Sequence, residues 1–175
     1  ANMLANEMYL DSADIRKNIV SLAKMLGYTP TSPKSPTATI DILMNNIPTT
    51  TATITMAKGT AFTTTVDGET YQFVTNTSHV LTPTSGVYRF SNIPVFEGTL
   101  VTFKYTVDST DVDQRFIIPS VNADTTTLKV SIQNSASDTT TNTYTLATGV
   151  TSISSTSKVY FLQEMEDGKF EVYFG

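Results

Sequence analysis

Two periods divide the chain. From Asp14 to Leu26 the apolar residues Ile15, Ile19, Leu22, Ala23, Met25 and Leu26 recur about every 3.6 positions, which predicts an amphipathic helix. Asp11 or Ser12 is placed to cap it, and Asp14 to face the positive end of its dipole. Gly27 suits its end, and Pro30 forbids its continuation. Leu4 and Met8, four apart, extend the stripe and imply an earlier start with a break near Asp11. Leu4, Met8, Ile15, Ile19, Leu22 and Leu26 are therefore the candidate packing or interface positions. They would pack against the body of this chain or against another chain.

From Thr37 onward the period is two. Ala38, Ile40, Ile42 and Met44 alternate with their neighbours, as do Ala52, Ile54 and Met56. Val101, Phe103, Tyr105 and Val107 do the same, and so do Leu128, Val130 and Ile132. Each run predicts a strand with one wet face. The dipeptides Asp67-Gly68 and Asp167-Gly168 predict tight hairpins, the second joining Val159–Met165 to Phe170–Phe174. Short strands with no helical run between them predict an antiparallel β-sandwich or barrel-like body behind a short N-terminal helix. The expected divisions are a helical segment over 1–29, a proline linker over 30–36, a β domain over 37–118 and a second β region over 119–175. Pro30, Pro33 and Pro36 suit an extended spacer. Residues 135–157 read as a long loop with one short strand around Tyr144–Leu146. The close on Phe174-Gly175, straight after a strand, leads us to expect an excerpt of a longer protein.

Composition narrows the chemistry. There are 33 Thr and 16 Ser but only 15% charged residues, no Cys, no Trp and a single His. Thiolate sites, disulfides and multi-His metal clusters within the chain are thereby excluded. Net charge is −5 and the basic residues are scattered, which argues against nucleic acid as a partner. Asp108, Asp111 and Asp113 alternate like calcium ligands, but no Gly separates them and Arg115 adjoins, so a solvated loop is expected. Glu164, Glu166, Asp167 and Glu171 would suit glycoside hydrolysis only across a desolvated cleft. A hairpin tip with Glu164 and Glu171 on exposed faces is expected instead. His79 has no nucleophile elbow to serve. The expectation is a protein that is not an enzyme and takes no cofactor, metal or small-molecule substrate.

Several segments, in order, resemble the baseplate wedge proteins of contractile-tailed bacteriophages, the baseplate J-like group that includes the large wedge subunit of T-even-type phages. They are Tyr9–Arg16, Leu22–Pro30, Met56–Phe62, Asp67-Gly68 with Tyr71–Thr75, Gln114–Pro119, Phe161–Glu164 and Glu171–Gly175. The resemblance implies a structural subunit of the virion's tail baseplate, assembled in the host cytoplasm. It also implies partners that are other wedge subunits and copies of itself, with no membrane. Composition alone also suits a surface adhesin or carbohydrate-binding β-sandwich.

Overall fold

The computed structural model describes residues 7–26, 31–48, 52–82, 87–147, 153–165 and 167–174. The protein is mainly β, with curled, largely antiparallel sheets and one short helix, α1 (Arg16–Met25). The chain divides into two compact units, Lys34–Lys104 and Ala1–Pro33 with Tyr105–Gly175. The sequence placed the division after residue 118 and treated the helical lead as a segment of its own. The structure instead divides the chain between Lys104 and Tyr105 and groups the lead with the C-terminal residues.

Lys34–Lys104 contains β1 (Thr37–Met44), β2 (Ile54–Met56), β3 (Ala61–Val66), β4 (Glu69–Val74), β5 (His79–Leu81) and β6 (Tyr88–Glu97). Four of these form a sheet in the order β1-β6-β4-β3, and β2 pairs with β5. Met56, Phe90, Ile93 and Val95 are buried at the centre, with Ile40, Ile42, Phe62 and Phe73 packed around them. The central strand β6 escaped the sequence reading because its alternation slips at Ser91-Asn92. Ile40 pairs with Ile93 but Ile42 pairs with Phe90, so Ser91 and Asn92 together oppose Asp41. This is a β-bulge. Asn92 takes a positive φ of 55°, a region seldom used outside Gly, Asn and Asp, and its N–H donates to Asp41 Oδ1 at 2.7 Å. Pro94 is tolerated in β6 because the β4 pairing ends at Phe96.

The other unit carries β7 (Phe116–Ile118), β8 (Val130–Gln133), β9 (Thr141–Leu146), β10 (Val159–Glu164) and β11 (Phe170–Phe174). Their order is β7-β11-β10-β9-β8, antiparallel except for the parallel β9/β10 pair. Its own core is Ile118, Tyr160, Phe170 and Val172. β9 is a full six-residue strand, longer than the short one expected within the 135–157 loop. Part of the proline linker is fixed rather than free. Ser32 is buried, and its Oγ accepts from Thr125 N and Thr125 Oγ1, both at 2.9 Å. Pro30 lies outside the described residues.

Candidate functional site

The helix forms where its spacing predicted, and a carboxylate from outside it reaches its start. Asp11 and Ser12 lie in a turn, with Ser12 N and Ala13 N donating to Tyr9 C=O. The carboxylate of Glu7 reaches forward to the first turn. It accepts from Asp14 N at 3.1 Å, from Ile15 N at 3.4 Å and from Asn18 Nδ2 at 2.6 Å. An anion is thereby placed on amides at the helix start that have no partner within the helix. The hydrogen bond from Asn18, and then that from Asp14, hold the Glu7 carboxyl below its ordinary pKa.

Of the expected stripe, Ile19 and Leu22 are half-buried, while Ile15 is exposed and Met8 and Leu26 stand 69% and 76% exposed. Leu4 lies outside the described residues. Three of the five described candidate positions, Met8, Ile15 and Leu26, are therefore exposed within the described chain.

A polar contact links the helix to the strands of its unit. Arg16 Nε and Nη2 both donate to Glu164 Oε1, the first at 2.9 Å. Glu164 was expected on an exposed face, but its side chain is 2% exposed. Its Oε2 has no hydrogen-bond partner among the described residues. A cavity of about 230 Å³ adjoins, lined by Arg16, Lys17, Val20, Ser21, Gln163, Glu164 and Met165.

The remaining carboxylates are dispersed. Gln163 pairs with Glu171 and Glu164 with Phe170, so Glu164 and Glu171 project from opposite faces of the sheet. Glu171 forms a two-pronged ion pair with Arg115, which lowers the Glu171 pKa and raises that of Arg115. Asp167 pairs with Lys169 at 2.6 Å. Glu166 lies outside the described residues. Among the described residues, Glu164, Asp167 and Glu171 are thus each paired with a cation, with Glu164 and Glu171 on opposite faces of the sheet. In the aspartate loop, Asp108 Oδ1 accepts from Thr110 N and Oγ1, and Asp111 Oδ1 from Asp113 N. Among the described residues no group of three or more His, Asp or Glu is placed to hold a metal ion. His79 Nε2 lies 3.1 Å from Thr77 Oγ1.

The largest departure from the sequence reading is the run from Val101 to Val107. It alternates as a strand does, yet it joins no sheet. Val101, Phe103, Tyr105 and Val107 stand 44–73% exposed. The end of the run lies beside β7, but side chains make the contacts. Gln114 Nε2 donates to Thr106 C=O and its Oε1 accepts from Asp108 N, so one amide side chain replaces a rung of the ladder. The Tyr105 hydroxyl donates to Ile117 C=O, and its ring meets Phe116 edge-on at 5.8 Å. No signal in the sequence distinguishes this run from a paired strand, because its periodicity is the same.

No helix among the described residues is long and apolar enough to cross a membrane. No protein-family model matches the chain, and no curated protein matches it.

Proposed function

We propose that this chain is a structural subunit, or part of one, from the baseplate wedge of a contractile-tailed phage, and that it works by packing against other subunits. The observation that carries the packing role is the Val101–Val107 run. A β-patterned segment with its apolar side chains in water is a surface that gains stability when another chain covers it. The half-covered helix stripe adds a second such surface in the lead. Glu164, Asp167 and Glu171, the carboxylates that a hydrolase would need, are each paired with a cation.

The assembly itself is proposed from the ordered sequence resemblance. Its segments fall at α1, at the β2–β3 turn, in the β3–β4 hairpin, at β7 and along β10 and β11. The test is peptide mass spectrometry and immunogold microscopy of contractile tail particles purified from the source. The expected result is stoichiometric presence of the chain and label at the distal end of the tail. Its absence from purified tails would overturn the reading. Glycan binding by the isolated chain, lost on Phe103→Ala or Tyr105→Ala, would replace it with the adhesin reading.

A further inference from the structure

We infer that β3 is a self-pairing edge, and that two copies of this chain join antiparallel along it about a two-fold axis at Thr63. The inference deepens the packing role proposed above by naming a partner and a surface, but what carries it is the edge itself. Strand edges in native proteins are ordinarily guarded by charge, proline, bulges or shortness. Three of the four outer edges in the two larger sheets follow this. β1 carries Asp41 in mid-strand, and β7 and β8 are three and four residues long. β3 has none of these devices. It runs Ala61-Phe62-Thr63-Thr64-Thr65-Val66, six neutral residues with no proline and an unbroken register against β4.

The backbone groups that would pair can be identified. The Asp67-Gly68 turn, with φ of 52° and 86°, makes Val66 and Glu69 the pair that closes the hairpin. Val66, Thr64 and Phe62 thus turn their N–H and C=O groups toward β4. Ala61, Thr63 and Thr65 turn theirs outward. β4 meets β6 only at Phe73 and Val74, so the hairpin from Thr63 to Tyr71 extends past the sheet. Thr63, Thr64, Thr65 and Val66 are exposed.

A two-fold axis at Thr63 pairs Thr63 with its own mate and Ala61 with Thr65. These are the outward-facing residues that must exchange bonds. Phe62 then stands opposite Thr64 of the second copy. No charged side chain meets another within the paired stretch. At each end the Asp67–Glu69 turn of one copy comes to the Lys58-Gly59 turn of the other, so opposite charges meet twice. Lys58, Asp67 and Glu69 are in no ion pair among the described residues. A parallel arrangement would bring like ends together. Charge therefore selects both the occupant, a second copy, and its direction.

Sedimentation equilibrium tests the pairing. The native chain is expected to approach twice its 19.1 kDa as concentration rises. Thr63→Lys and Thr63→Asp each place like charges on the axis and should weaken the dimer at least about tenfold, with the circular-dichroism spectrum unchanged. An equal mixture of the two variants should restore the dimer mass. Lys58→Glu, outside the strand, should weaken the dimer as well. A native chain that stays monomeric at every concentration would overturn the inference. So would folded Thr63 variants that dimerise as the native chain does, or a mixture that fails to recover. A monomer would leave the wedge reading to its other surfaces, whereas absence from tail particles would leave the β3 dimer untouched.

Discussion

At the scale of single residues, polar contacts far apart in sequence decide how the lead is held. Glu7 caps α1 from seven positions before Asp14, and Arg16 meets Glu164 across 148 positions. Neither was legible in the sequence. Capping rules look for a short polar side chain immediately before the helix, and Asp11 and Ser12 filled that role on paper. A carboxylate arriving over an intervening turn has no fixed spacing to search for. Its consequence has a defined sign. The folded-state pKa of Glu7 is lowered, so its contribution is present above the ordinary carboxyl value and is lost as pH falls through the lowered one. Amide hydrogen exchange at Asp14 and Ile15 should therefore quicken, beyond its intrinsic pH dependence, on acidification through that range. Glu7→Gln should remove this acid step. Identical profiles in the two proteins would contradict the capping role.

At the scale of elements, what the sequence made legible depended on local regularity. The two Asp-Gly hairpins form where expected because the left-handed backbone that each turn needs is a strictly local requirement: Asp67 and Gly68 both take a positive φ in a two-residue turn, and Gly168 takes one in the turn closed by Met165 and Lys169. β6 was missed because one bulge residue reverses the alternation and Pro94 reads as a break, although neighbouring strands accommodate both. The opposite error occurred at Val101–Val107. There the alternation is regular, but whether such a run joins a sheet depends on a partner that is not local. Gly68 offers a direct measurement of a turn. Its φ is +86°, and a Cβ added there would touch nothing within 4 Å. Gly68→Ala should therefore cost only the backbone term, about 1–2 kcal/mol in denaturant unfolding. A neutral result would mean that the turn does not hold the left-handed geometry. A much larger loss would mean that the tip packs against something.

At the scale of the whole molecule, each unit has its own core, and the chain passes between them at Pro33/Lys34 and at Lys104/Tyr105. Both passages carry an exposed lysine. Brief trypsin treatment should cut after Lys34 and Lys104 ahead of sites inside β-strands, releasing residues 35–104 as a protected fragment. Earlier cleavage at Arg89, within β6, would contradict two separately cored units. The Thr excess now divides by position. Thr63, Thr64 and Thr65 line an open edge, whereas Thr75 is fully buried and donates to Ala57 C=O at 3.1 Å. Composition alone could not make that distinction.

If the proposed packing role holds, the exposed β-patterned run is an assembly surface. Hydrogen exchange of residues 101–107, compared between the isolated chain and the same chain within purified tail particles, addresses it most directly. Fast exchange in the isolated chain and strong protection in the particle are expected. Equally fast exchange in both would contradict it.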